Sequence, residues 1–129
     1  VRKCCVSVYI VVNLLFFLVI KHCIADLAIQ KLFPSNKLQY LNKDAHKHYL
    51  HHALGSFIVG VFFNLYFAAL IFVLDYLIHW HVDFVKTHVR KYYDLQERDY
   101  MFWVLQSVDQ ALHFSTYYLF VVLFLQFYS

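Results

Sequence analysis

The chain has 129 residues, of which 62% are hydrophobic, 21% are aromatic and only 15% are charged. A soluble domain of this size usually carries about a quarter charged residues. Together with a mean hydropathy of +0.55, this composition excludes an ordinary water-soluble domain. It predicts an integral membrane protein that is surrounded by the lipid bilayer. No nucleic-acid partner is expected.

The first apolar stretch follows Arg2 and Lys3 and continues to Ile29. It is long enough for one membrane-spanning helix of about 20 residues. We expect this helix to end before Pro34, because proline cannot continue the hydrogen bonding of a helix. Residues 35–48 are polar and basic, which predicts a loop or a short helix at the membrane interface.

Residues 50–85 are almost continuously apolar. One helix of that length would reach about 54 Å, well beyond a hydrocarbon core about 30 Å thick. The stretch is therefore predicted to form a hairpin, with its turn near Asn64. A polar connector over residues 90–99 precedes the last apolar stretch.

The predicted fold is an all-α, four-helix membrane bundle in a single domain. The predicted spans cover residues 5–30, 49–64, 67–89 and 101–127. The alternative has three spans, with residues 50–75 as one of them and residues 76–93 lying along the membrane surface.

Three pairs of histidine and aspartate, each four residues apart, interrupt these apolar stretches. Residues at this spacing share one face of a helix. A carboxylate in a bilayer core costs several kcal/mol unless it is paired or binds a cation. The pairs, together with a histidine from the second span, form the predicted metal-ligand set: His22, Asp26, His52, His79, Asp83, Asp109 and His113.

Imidazole and carboxylate ligands suit Zn, Fe or Mn, and the set could hold one or two divalent ions. The midpoints between consecutive members lie between residues 65 and 66, at Gln39 and at Gln96, inside the three predicted connections. This regularity predicts that the set lies at one depth in the membrane. A hydrogen-bonded packing network and a proton pathway are the alternatives for the same residues.

Other polar residues are predicted to lie beside the ligands or to face a substrate: Gln30, Asp75, Lys86, Arg90 and Gln110. Lys86 and Arg90 could receive an anionic group, or could reach towards the lipid headgroups. A separate cluster of His46, His48 and His51 is expected to be solvated at the interface. His81 and His88 are assigned no role.

Eight of the eleven Lys and Arg residues lie in the two basic loops, residues 31–48 and 86–98. The positive-inside rule then places these loops in the cytoplasm and both termini outside.

The four polar motifs resemble those of the small bacterial and phage membrane proteins catalogued as domain of unknown function 3307. The resemblance covers roughly residues 14–120 and implies a bacterial inner-membrane location, but it supplies no activity. His81 stands where that family usually has an aliphatic residue. The matching motifs are His22-Cys-Ile-Ala-Asp26-Leu-Ala-Ile-Gln30, His52-Ala53-Leu54, His79-Trp80-His81-Val82-Asp83-Phe84-Val85-Lys86 and Asp109-Gln110-Ala111-Leu112-His113. The chain is also similar to the membrane-bound metal-dependent hydrolases in its size and in the His and Asp of its helices.

The leading functional prediction is a multi-span membrane protein that binds a metal at its intramembrane His/Asp set. Its more specific form is a metal-dependent hydrolase that acts on a lipid-linked or phosphorylated substrate. Metal-bound water would be the nucleophile and an unligated carboxylate the base, although no catalytic residue can be chosen. The alternatives are a non-enzymatic interaction protein, such as a phage factor acting on a host membrane protein, and a proton or metal conduit. Whether the protein is an enzyme, and whether it pairs with another membrane protein or with itself, stays open.

Overall fold

The computed structural model describes residues 2–33 and 36–128, and side chains within residues 8–33 and 36–127. Over these ranges the protein is helical and contains no strand, so the predicted all-α fold with four helices is confirmed. The four helices are α1 (Arg2–Cys23), α2 (Lys43–Val61), α3 (Leu65–Tyr92) and α4 (Tyr100–Tyr128). The first helix continues beyond α1 through a π-helical segment (Ile24–Ile29) and a last turn (Gln30–Leu32).

Asparagine side chains begin two of the helices. Asn42 accepts hydrogen bonds from the backbone N–H groups of Asp44 and Ala45 at the start of α2. Asn64 does the same at the start of α3, and its own backbone is extended (φ −166°, ψ 137°). The turn predicted near Asn64 is therefore confirmed. The alternative with one span over residues 50–75 is wrong, because this cap separates two helices.

The helices alternate in direction and follow the cyclic order α1, α2, α3, α4, in which each packs against its two neighbours. The turn end of the bundle holds the short connection of residues 62–64. The loop end holds the connections of residues 36–42 and 93–99. Pro34, predicted to end the first helix, lies outside the described residues; the helix ends at Leu32.

An apolar core occupies the half of the bundle nearer the turn end. It consists of Leu14, Leu18, Phe67, Ile71, Tyr117, Phe120, Val121 and Phe124. Beside it α2 and α3 approach closely at Gly60, where an added Cβ would lie 2.7 Å from the Cα of Ala68. Glycine at this position allows the two helix backbones to meet.

Polar side chains are buried inside the bundle while large apolar side chains cover much of its outside. The buried polar residues include three aspartates and five histidines, whereas Phe16, Leu27 and Tyr118 are exposed. A water-soluble protein would have the opposite distribution. The arrangement is the one expected of a bundle surrounded by lipid.

Three segments are long and apolar enough to cross a membrane: Val8–Leu32, Leu65–Tyr92 and Tyr100–Phe127. Within the described ranges, α2 does not reach that apolarity, because its first half carries several His, Lys and Asp residues. The exact spans, the sidedness and the bacterial origin stay predictions. Residues 1 and 129, predicted to lie outside the cell, are not among the described residues.

Candidate metal site

The π-helical segment of the first helix carries Asp26 into the interior of the bundle. A π-helical turn is wider than an α-helical turn and occurs frequently at functional sites. Asp26 Oδ2 lies 3.1 Å from Nε2 of His22, one turn earlier. The Asp26 side chain keeps 17% of its surface exposed, so the interior is not completely sealed at this point.

Imidazoles from two other helices converge on the second oxygen of Asp26. His52 Nε2 lies 2.8 Å from Asp26 Oδ1, and His48 Nε2 lies 3.4 Å from it. Both come from one face of α2, because they are four residues apart. His79 Nε2 approaches the same oxygen from α3, at 4.0 Å.

These four residues, which we call the Asp26 group, have the geometry of a metal site. One ligand atom from each of Asp26, His48, His52 and His79 lies within 4.8 Å of the other three. Ligands about 2.1 Å from a tetrahedral zinc ion are about 3.4 Å apart. The observed separations of 2.8–4.0 Å from Asp26 Oδ1 bracket that value.

A second set of potential ligands, the Asp83 group, consists of His79, Asp83 and His113. Asp83 Oδ2 lies 3.5 Å from His79 Nε2, and Asp83 Oδ1 lies 3.4 Å from His113 Nε2. Both groups use Nε2 of His79 to approach a carboxylate. One imidazole nitrogen binds one ion, so the shared nitrogen favours a single ion over two separate ones.

Several imidazole nitrogens inside the bundle have no hydrogen-bond partner among the described residues. They include both ring nitrogens of His48 and of His79, although the two residues are only 2% and 0% exposed. Burial of a polar group without a hydrogen bond costs about 1–3 kcal/mol. A cation bound between these nitrogens and the neighbouring carboxylates would remove that cost.

Three of the four interior aspartates are each paired with a lysine. The pairs are Lys21 with Asp75 at 2.5 Å, Lys37 with Asp83 at 2.5 Å, and Lys86 with Asp109 at 2.8 Å. Within the described chain, no Lys or Arg side chain pairs with Asp26, and four imidazole nitrogens lie within 4.0 Å of its carboxylate instead. With the histidines neutral, four carboxylates and three ammonium groups leave one net negative charge. One divalent ion would change the net charge of the interior to one positive charge, whereas two divalent ions would leave three positive charges.

The polar interior extends from the loop end to about the middle of the bundle. On α3 it runs from Lys86 through Asp83 and His79 to Asp75, whose Oδ2 also accepts a hydrogen bond from Ser56 at 2.6 Å. Beyond Asp75, the buried α3 residues are Ile71, Ala68 and Phe67. In the part of the chain that the structure describes, the polar path therefore stops at the apolar core.

The predicted ligands fall into three sets in the structure. Asp26, His52 and His79 lie in the Asp26 group, while Asp83 and His113 lie beside them in the Asp83 group. The remaining two lie outside both groups. His22 Nδ1 shares a 2.8 Å hydrogen bond with Tyr117, and Asp109 pairs with Lys86.

The residues predicted to lie beside the ligands range from the buried interior to the exposed surface. Gln110 shares a 3.1 Å hydrogen bond with His22 and donates to Asp26 at 3.4 Å, and Asp75 pairs with Lys21. Gln30 is partly buried. Arg90 is exposed, donates to the carbonyl of Leu95 and lies over the ring of Phe102.

His48 and Lys37 are two of the interior residues that the sequence reasoning missed. The prediction that His48 is solvated is wrong, because it lies on the buried face of α2 with His52. Its spacing of four residues from His52 could have indicated this. Lys37 comes from a loop, yet its ammonium group reaches Asp83 and its side chain is only 8% exposed. No local sequence signal predicts that path.

Comparison with protein-family models, curated proteins and solved structures found no match to this chain. The interpretation of the site therefore rests on its own geometry.

Proposed function

We propose that this protein binds one divalent transition-metal ion inside a membrane-embedded helix bundle. Asp26, His48, His52 and His79 are the proposed ligands. Three imidazoles and one carboxylate form a ligand set that suits Zn, Fe or Mn.

The observation that carries the proposal is the pair of buried histidines without hydrogen bonds. His48 and His79 direct unpartnered nitrogens towards Asp26 and Asp83, at separations of 3.4–4.0 Å. These distances are long for hydrogen bonds and suitable for atoms that share an ion. The net negative charge of the interior supports a bound cation as well.

A test of metal binding uses the full chain in detergent and zinc as the probe ion. We expect about one zinc per chain after equilibration and removal of excess. Asp26→Asn removes the interior carboxylate that has no lysine partner among the described residues, and it should weaken zinc binding by at least ~100-fold. Asp44→Asn, at an exposed aspartate on α2, is the matched control and should bind as the parent does. Uptake below about a tenth of an ion per chain would rule out the proposal.

Hydrolysis of a lipid-linked or phosphorylated substrate is the finer proposal. Its support is the position of Asp83, which lies 3.5–3.6 Å from two proposed ligands, His48 and His79, without belonging to the Asp26 group. If the ion held a water as a fifth ligand beside these four residues, a carboxylate at such a position could take a proton from that water. The partial exposure of Asp26 supports access to the group from outside.

Asp83→Asn separates binding from catalysis. We expect this variant to keep its zinc and to lose zinc-dependent turnover of a phosphate monoester or a phospholipid. If the zinc-loaded parent cleaves neither substrate, the hydrolase proposal fails while metal binding stands.

A polar packing network is the second candidate. The three lysine–aspartate pairs favour it, because each of them neutralises a buried carboxylate without an ion. It predicts an interaction protein that takes up no metal, an outcome that the zinc measurement detects directly. The conduit has less support, because the polar path ends at the apolar core.

A further inference from the structure

The segment of residues 36–42, here called the strap, lies across the loop end of α3. Tyr40 stacks on Trp80 with ring centroids 4.4 Å apart. The carbonyl of Tyr40 accepts hydrogen bonds from Trp80 Nε1 at 3.2 Å and from His46 Nε2 at 3.0 Å. The Tyr40 hydroxyl shares a 3.0 Å hydrogen bond with His81. These contacts hold the strap against the outside of the bundle.

From the strap, the side chain of Lys37 enters the polar interior. Its Nζ lies 2.5 Å from Asp83 Oδ2. That oxygen is also 3.6 Å from His48 Nε2 and 3.5 Å from His79 Nε2, two atoms that we assign to the ion. The ammonium group and a metal ion would therefore bind within a few ångströms of one another.

The charge balance couples the two cations. With Lys37 inserted and the histidines neutral, the interior carries one net negative charge, and a divalent ion reverses it to one positive charge. Withdrawal of Lys37 after the ion binds would make the interior neutral. Withdrawal without an ion would leave two negative charges. In a low-dielectric interior such imbalances are costly, so the two cations should alternate.

We propose that Lys37 is a tethered cation that competes electrostatically with the metal ion, so that metal binding is linked to release of Lys37 from Asp83 and of the strap. The inference rests on the proposed metal site. It adds that Asp83 changes from a lysine partner to an available carboxylate when the ion arrives. It also assigns the strap a role in controlling how tightly the ion binds.

Lysine acylation followed by mass spectrometry tests the exchange in the parent protein. Without zinc, Lys37 should react slowly, because its ammonium group is buried and paired. With zinc bound, its reactivity should rise at least ~10-fold. Lys47, whose side chain is 65% exposed, should react equally in both conditions and serves as the internal control. Unchanged reactivity of Lys37 with zinc bound overturns the proposal, whatever the variants show.

Zinc affinity of Lys37→Met provides the second measurement. Removal of the competing charge should tighten binding by at least ~10-fold, whereas Lys37→Arg and the surface variant Lys47→Met should behave like the parent. Absence of zinc from every variant would refute the metal site itself. Equal affinity and equal reactivity would refute only the role of Lys37.

Discussion

The imidazole rings of His52 and His79 stack with their centroids 3.7 Å apart and their planes inclined by 26°. His113 stacks on His79 in turn, with centroids 4.0 Å apart. The rings come from three different helices, so this column packs α2, α3 and α4 against one another. Two adjacent protonated rings would place like charges about 4 Å apart and repel one another. The column therefore disfavours protonation of neighbouring rings at the same time, and a neutral imidazole is the form that binds a metal ion.

Zinc binding should depend steeply on pH. A ligand imidazole must be unprotonated, and an unperturbed histidine has a pKa of about 6.5. We expect zinc to be retained above that pH and lost below about pH 6, with more than one proton taken up per ion released. Equilibrium dialysis between pH 7.5 and pH 5 measures this. A network of protonated histidines paired with aspartates would instead be kept or strengthened on acidification, so a flat profile would contradict the metal site.

His48→Gln and His51→Gln form a matched pair on one helix. His48 belongs to the Asp26 group, whereas His51 lies outside both groups and contacts the ring of Phe33. Loss of one ligand should weaken zinc binding by ~10-fold or more in His48→Gln. His51→Gln should bind zinc like the parent. Competition with a chromophoric chelator gives both affinities, and equal values would remove His48 from the ligand set.

Gly60→Ala should destabilise the bundle by ~1–3 kcal/mol, because the added Cβ meets the backbone of Ala68 and forces α2 and α3 apart. The matched control is Gly55→Ala. Its Cβ would lie 3.1 Å from Cδ of Lys21, a flexible side chain that can move. Thermal unfolding in detergent compares the two variants. A higher melting temperature for Gly60→Ala would show that helix propensity outweighs the close packing.

Cysteine labelling in intact cells or vesicles tests the topology. In a background without native cysteines, positions 41 and 97 should be labelled from the same side of the membrane. Position 62, at the turn end, should be labelled from the opposite side. All three replace side chains that are exposed in the bundle. Labelling of positions 41 and 97 from opposite sides would exclude the four-span topology.

Periodic features made much of this structure predictable. Four-residue spacing placed His79 with Asp83 on one helix face, and a capping asparagine marked the turn at residue 64. The π-helical segment was not predictable, because Ile24–Ile29 looks like ordinary helix sequence.

Other interior residues could not be predicted because their positions depend on tertiary contacts. The reach of Lys37 into the bundle depends on where the strap crosses α3, which local sequence does not encode. Similarly, a prediction of whether His48 or His51 faces the interior requires knowing which face of α2 is buried. The sequence prediction of one or two ions did not count the charges of the three interior lysines or of Asp75, and their inclusion favours one ion.

The separation of the apolar core from the polar interior has a consequence for how this protein can change. Leu14, Phe67 and Phe120 hold the turn end together without help from the histidines. Substitutions around Asp26 should thus leave a folded protein that differs in what it binds. The apolar core can keep the bundle folded while the residues of the polar interior are replaced, so that new chemistry can be introduced there without a new fold.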